Sequence, residues 1–274
     1  MGLRSTEFEV IRGLVYAETG ILVEPDKSYL VESRLEPLLR ARKLTSIGEL
    51  LDELTRIPKS GLRRSIAQAL VNGETMFFRD PGSFDMLCTQ LLPRLLSGRA
   101  ATRRLVIWSA ACSTGQEPYS VAMLLDRHFP QLVDWKVRIL ATDFSEEHLA
   151  RARAGRYLQH EIQRGLPASE LTRWFRRQGE EWELDLALRR RVDFLPLNLV
   201  TDFPPAYPVD LVLLRNVMIY WDHATKRSVL ERIRSVLSPD GALILGAAET
   251  TLQIDDGFER KELAGASYFV ARQR

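Results

Sequence analysis

Residues 104–120, RLVIWSAACSTGQEPYS, run from an apolar stretch through a loop of small residues into the start of a helix. Nucleotide-binding sheets of this pattern carry several glycines at such a turn, yet this loop contains only Gly115. Pro118 suits the first turn of a helix, which places Gln116 and Glu117 at its N-terminus beside free backbone amides. A dinucleotide would use those amides for its pyrophosphate, with glycines letting the backbone come close. Here a carboxylate, Glu117, stands where the phosphate would come. A ligand that lacks phosphate and carries a positive centre fits better than NAD.

The surrounding pattern places that loop in an α/β domain. After RLVIWSAA come KVRILATD, a helix from Glu146, VDFLPLN, VDLVLLRN, a helix from His223 and GALILGAA. Short apolar, β-branched strands separated by amphipathic helices predict a doubly wound, mostly parallel sheet covered on both faces. GFERKEL and ASYFVAR follow with no helix between them, so the sheet is expected to end in an antiparallel hairpin. An inserted small β-subdomain is expected over about 156–191, with PASELTRWF helical and EEWELDLALRRRVDF forming two short strands around a polar turn.

Upstream the pattern is helical, with apolar residues at three- and four-residue spacing. Helices are predicted over 7–19, 27–43, 47–56 and 62–70, with breaks near Gly20, Pro25 and Pro58, and with Pro37 interrupting or kinking the second. Ser46 and Glu49 form a capping box for the third. The expected organisation is a small N-terminal helical domain (1–72), a linker with a connecting helix (73–98) and an α/β domain (99–274).

The 274 residues, 45% hydrophobic and 27% charged, suit a folded globular chain, and a net charge of +2 sets up no global field for nucleic acid. Cys88 and Cys112 make neither a disulfide framework nor a metal-ligand spacing with the four histidines, which suggests a cytoplasmic protein. No apolar run approaches the roughly 20 residues of a membrane span, and MGLRSTEFEV is not a signal peptide.

S-adenosylmethionine (SAM) is a phosphate-free cation of the kind the loop calls for, and Glu117 could meet its ammonium. Glu117 could instead only complement the helix dipole, worth about 0.3–1 kcal/mol. Asp143, ending ATD, stands where an acid grips ribose hydroxyls; the competing role, capping the next helix, could fall to Ser145. Cys112 has no histidine close in sequence to serve as a base and reads as packing rather than as a nucleophile.

Taken in order, VNGETMFFRDP (71–81), WSAACSTGQEPYS (108–120), ILATDFS (139–145) and LLRNVMIYW (213–221), after a helical bundle, resemble the chemotaxis-receptor glutamate methyltransferases, the CheR family. The resemblance spans nearly the whole chain and implies a class I SAM-dependent methyltransferase fold, with SAM as cofactor and S-adenosylhomocysteine (SAH) as product. It places Thr75 and Arg79 at the cofactor, Glu117 at its methionine moiety and Asp143 at its ribose. It sets Asn198 and Leu199 beside the adenosine, and Arg215, Asn216 and Tyr220 at the reacting end. In one place the chain departs from the family: the asparagine usual two residues before the motif threonine is replaced by Gly73, and Asn72 sits one position earlier.

A glutamate acceptor is already ionised at neutral pH, so no general base is required. The enzyme has to align donor and acceptor at about 3–3.5 Å and exclude water. Arg79 would orient the carboxylate and Tyr220 would sit beside the sulfonium, as the two catalytic candidates. Bland roles compete: Phe77 and Phe78 as packing anchors, Arg79 with Asp80 as a surface ion pair, Asn216 as a turn former.

The implied partner is the cytoplasmic helical bundle of a methyl-accepting chemoreceptor, met by basic residues Arg34, Arg40, Arg42 and Lys43. Neither nucleic acid nor membrane insertion is expected, and the chain is expected to be a monomer. The turn at Gly179–Trp182 looks short for binding a receptor tether peptide. Two rival readings remain: a methyltransferase of RNA or small molecules, suggested by TRWFRRQ and LRRRV, and a non-catalytic SAM-binding adaptor.

Overall fold

The computed structural model describes residues 3–57, 61–202, 207–263 and 265–272. The chain divides into two compact units: residues up to Asn72 together with Tyr220–Lys226, and Gly73–Ile219 together with Arg227–Arg274.

The smaller unit is built from α1 (Ser5–Thr19), α2 (Ser28–Arg42), α3 (Ile47–Arg56) and α4 (Leu62–Leu70). Ile11 and Val15 of α1, Val31 and Leu35 of α2, Leu50 of α3 and Ile66 of α4 recur at helical spacing and are buried, so each helix turns one stripe inward. Gly20, at φ 70°, ends α1 in the left-handed cap that glycine adopts without steric penalty. Ser46 caps α3 by accepting from the Glu49 amide. Helix α2 runs through Pro37 from Ser28 to Arg42, so the proline does not interrupt it. The break expected near Pro58 lies outside the described residues. Residues 220–226, placed by sequence in the α/β domain, group with the bundle: the Trp221 indole donates to the Thr19 carbonyl (2.9 Å), and Tyr16 donates to Asp222 (2.6 Å).

The larger unit holds strands β1 (Arg104–Ala110), β2 (Lys136–Asp143), β3 (Arg156–Leu158), β4 (Phe175–Gln178), β5 (Glu181–Leu184), β6 (Val192–Pro196), β7 (Val209–Leu214), β8 (Leu237–Leu245), β9 (Phe258–Leu263) and β10 (Ala266–Ala271). The main sheet has the order β6-β2-β1-β7-β8-β10-β9, parallel as far as β8, with β10 of the terminal β9–β10 hairpin antiparallel to β8. Every residue of β7 and all but the first of β1 are buried, as strands covered on both faces require. From β1 the chain moves outward to β2 and β6, then returns to β7 on β1's other side. The topological switch point, where open sheets of this kind bind ligands, therefore lies at the carboxyl ends of β1 and β7. Asp210, buried on β7, is satisfied by the Val106 amide, Arg99 and Ser238 (2.8–3.0 Å).

The insertion is a three-stranded antiparallel sheet, β3-β5-β4. Its strand assignment differs from the sequence expectation. Only Glu181–Leu184 of EEWELDLALRRRVDF belongs to the hairpin, whose other arm is Phe175–Gln178 around a turn at Gly179. Leu186–Arg189 is a short helix capped by Asp185, and Val192–Pro196 is the edge of the main sheet. Phe77 packs edge-on against Tyr157 (5.1 Å) and Phe175 (5.7 Å), which ties the segment after Gly73 to this insertion.

Candidate active site

The loop after β1 departs from ordinary backbone. Ala111 (φ 61°), Ser113 (φ 50°) and Gly115 (φ 94°) all lie in the left-handed region, strain of the kind that gathers at ligand sites. Hydrogen bonds hold it there: the Cys112 amide donates to the Thr142 carbonyl (2.9 Å) and the Ser113 amide to Asp143 Oδ2 (2.8 Å). Gly115 precedes the helix Gln116–His128, which begins two residues before Pro118. A Cβ on Gly115 would meet the Ala152 Cβ at 2.9 Å, so both φ and space require glycine.

Asp143 closes β2 with 5% of its surface exposed. Its Oδ1 accepts from the Ser145 amide (2.9 Å) and faces His148 Nδ1 (3.4 Å), while Ser145 itself caps the next helix. The Leu197 amide donates to the Asp143 carbonyl (3.0 Å), which brings the Asn198–Leu199 turn to the same strand ends. Asn198 accepts from the Val200 amide (3.0 Å) through its side chain, and the Leu199 carbonyl takes Arg232 (3.2 Å).

At the end of β7, Arg215 is buried. Its guanidinium donates to Glu117 Oε2 (3.0 Å), Asp80 Oδ2 (2.7 Å) and the Arg79 carbonyl (2.5 Å), and lies over the Phe84 ring. Glu117 also accepts from Ser109 (2.7 Å). Asp80 is thus paired with Arg215, not with its neighbour Arg79. Arg79 is half-buried, reaches only the Glu74 carbonyl at 3.4 Å, and forms no ion pair among the described residues. Asn216 adopts φ 60°, and its buried Oδ1 has no hydrogen-bond partner among the described residues. Cys112 is buried, and desolvation pushes its thiol well above the ordinary range, in keeping with packing.

Thr75 lines a cavity of about 290 Å³ with Gly73, Thr114, Gln116 and His148. Thr75, Arg79, Glu117, Asp143, Asn198, Leu199, Arg215 and Asn216 all belong to the larger unit, around the ends of β1, β2 and β7. Tyr220 belongs to the smaller one, where its hydroxyl accepts from the Asn72 amide (2.6 Å).

Two residues were not foreseen. Glu249 accepts backbone amides from Asn216 (2.8 Å), Gly246 (2.8 Å), Met218 (2.7 Å) and Ile219 (3.3 Å), fixing the turn after β7. His148 lies on the helix Glu146–Ala154, outside the motifs that mark the site in sequence. The only sequence signal for Glu249 is an acid just beyond a buried strand.

The donor set suits SAM. The carboxylates of Glu117 and Asp143 face the switch point, where they would repel a pyrophosphate and favour a cation and hydroxyls. The orphaned Oδ1 of Asn216 is an acceptor still requiring a donor. Fold and site together define a SAM-dependent methyltransferase. The family model described as CheR methyltransferase, SAM binding domain, matches residues 73–265, and the CheR all-alpha domain matches residues 6–69. The chain belongs to the CheR methyltransferase family. It is 38% identical to chemotaxis protein methyltransferase 1 of Pseudomonas aeruginosa, over 99% of this chain and 100% of that one. Chemotaxis protein methyltransferase Cher2 of Pseudomonas putida is 35% identical over the same shares, and the chemotaxis protein methyltransferase of Vibrio parahaemolyticus is 35% identical over 92% of each chain. Among the described residues no helix is long and apolar enough to cross a membrane.

Proposed function

We propose that the chain methylates glutamate side chains on the cytoplasmic helical bundle of a methyl-accepting chemoreceptor, forming methyl esters. The observation that carries this reading is Arg79: Arg215 takes the adjacent Asp80, and the half-buried Arg79, whose guanidinium reaches the Glu74 carbonyl, forms no ion pair within 4 Å among the described residues. A substrate carboxylate would complete it by a bidentate contact. SAM, when bound, supplies an electrophilic methyl on a sulfonium.

In this reading the cofactor is held by Thr75, Arg79, Glu117, Asp143, Asn198, Leu199, Arg215 and Asn216. A carboxylate offers about four lone-pair sites, so Glu117 and Asp143 keep acceptor capacity beyond their present partners: Glu117 for the ammonium, Asp143 for ribose hydroxyls. Arg215 fixes Glu117 and the Arg79 backbone from below, and Tyr220 is the second catalytic candidate.

The rival reading of RNA as substrate finds little support in the insertion's arginines. Arg173 and Arg191 pair with Asp126, Arg189 with Glu183, and Arg176 and Arg177 donate to backbone carbonyls. Docking through α2 is restricted in the same way: Arg34 donates to the Leu70 carbonyl, Arg40 pairs with Glu36 and Arg42 with Glu53. Incubation with methyl-labelled SAM and receptor cytoplasmic fragments should yield label that alkali releases as methanol. Base-stable label, or label only on RNA, would sink the proposal. Arg79→Ala should abolish turnover while leaving the fold intact.

A further inference from the structure

The family resemblance left an open position: where an asparagine is usual, this chain has Gly73. The structure shows what fills the space. A Cβ built on Gly73 would lie 2.5 Å from both Cε1 and Nε2 of His148, closer than any side chain could tolerate. The imidazole therefore occupies the volume into which a residue-73 side chain would project. Asn72 is not a substitute, because its amide is turned to the Tyr220 hydroxyl.

His148 is also placed for a polar role. Its Nδ1 is buried and lies 3.4 Å from Asp143 Oδ1, with no completed hydrogen bond among the described residues. The tip of the ring, Nε2 and Cε1, faces Gly73, and the side chain is 19% exposed on the wall of the cavity that also holds Thr75 and Thr114. The backbone here is pinned, since Ser113 Oγ donates to the Gly73 carbonyl (2.6 Å). The ring is thus held between the acid that ends β2, on its Nδ1 side, and the segment bearing Thr75, toward which it turns Nε2, a nitrogen able to donate or accept a hydrogen bond at the cavity wall.

We propose that His148 is a cofactor-contact residue particular to this chain, its imidazole doing from the helix Glu146–Ala154 what an asparagine side chain would do from position 73. Gly73 and His148 form one unit: the glycine exists to admit the ring. The inference rests on reading Thr75 and Asp143 as cofactor residues.

The test is a swap read by calorimetric titration of SAH into the full-length protein, which requires no receptor. His148→Val should weaken SAH about ten-fold, the worth of one hydrogen bond to a buried polar group. Gly73→Asn with His148→Val should return affinity to within about three-fold of the parent, a coupling that separate structural damage would not produce. His148→Val binding SAH like the parent overturns the proposal, and so does a double variant that binds no better than the single. Thermal unfolding without ligand checks each fold. If His148→Val does not fold, Gly73→Ala carries the test, because its Cβ drives the ring away; unchanged SAH affinity there overturns the proposal equally. Asp143→Asn separates the two readings: if it leaves SAH affinity intact, the cofactor assignment itself fails.

Discussion

Glu249 offers the sharpest test of how the site is held. Its Oε2 accepts from the Asn216 and Gly246 amides and its Oε1 from Met218 and Ile219, so one carboxylate fixes the turn after β7 in the register that presents Arg215 and Asn216. Glu249→Gln keeps shape and length but replaces one oxygen with an NH2 group. Whichever way the amide turns, that NH2 faces two backbone N–H donors and two bonds are lost. Buried bonds to a charged acceptor are worth about 1.5–3 kcal/mol each, but Glu249 is half-exposed and water can replace part of this, so about 1 kcal/mol per bond is a fair figure. The loss is then about 2 kcal/mol, or a fall of roughly 4–8 °C in the unfolding temperature of a unit of this size. Asn216 is held at φ 60° by the same acceptor, so SAH affinity should fall with stability. The measurements are scanning calorimetry and SAH titration on the parent, Glu249→Gln and Glu249→Asp. The aspartate keeps the charge but is one methylene too short to reach every amide, and should fall between the other two. A glutamine variant that unfolds within 1 °C of the parent and binds SAH equally would refute the clamp.

Three further outcomes follow from the same geometry. Arg215→Met, which leaves Glu117 and Asp80 facing each other without a cation, should lower stability by about 3–5 kcal/mol in urea unfolding; equal or greater stability would contradict the buried triad. Alkylation of the native protein at pH 8 should modify half-buried Cys88 before Cys112, whose thiol burial holds well above the ordinary range; peptide mass mapping that finds Cys112 first would remove it from the core. Arg99 holds the Asp240 carboxyl below its ordinary pKa, so the native state binds fewer protons there than the unfolded chain. That contribution is present above the unfolded value near 3.9 and fades as pH falls through the lowered one, and Arg99→Met should flatten this part of an acid titration followed by circular dichroism.

Continuous apolar runs for the strands and three- and four-residue spacing for the helices carried the fold, because burial on both faces leaves few ways to write β1 and β7. The terminal hairpin was legible for the related reason that no helix separates its two runs. The insertion was misread because its strands are short and half-exposed: Glu181–Leu184 alternates too briefly to be told from the helix that Asp185 caps next. In the site, Glu117 was visible as an acid at a helix N-terminus and Asp143 as one at a strand end. Their partners were not, since Arg215 lies 98 positions from Glu117 and only the fold brings them together. Glu249 acts on backbone amides and His148 fills the space beside Gly73, contacts for which the sequence offers no more than an acid just beyond a buried strand.

The single glycine of the loop after β1 follows from those partners. Two non-glycine residues, Ala111 and Ser113, sit in left-handed conformations that cost about 1–2 kcal/mol each, which glycines would avoid. The Ser113 amide bound to Asp143 and its hydroxyl bound to the Gly73 carbonyl, at about 1 kcal/mol or more apiece, offset most of that. Glycine at 113 would relieve the strain but give up the hydroxyl contact that joins the loop to the segment carrying Thr75 and Arg79. A phosphate-binding loop needs bare backbone so that its ligand can approach the amides. This loop gives its Ser113 amide to Asp143 instead, and in the proposed reading the carboxylates so positioned are what a cationic ligand would meet.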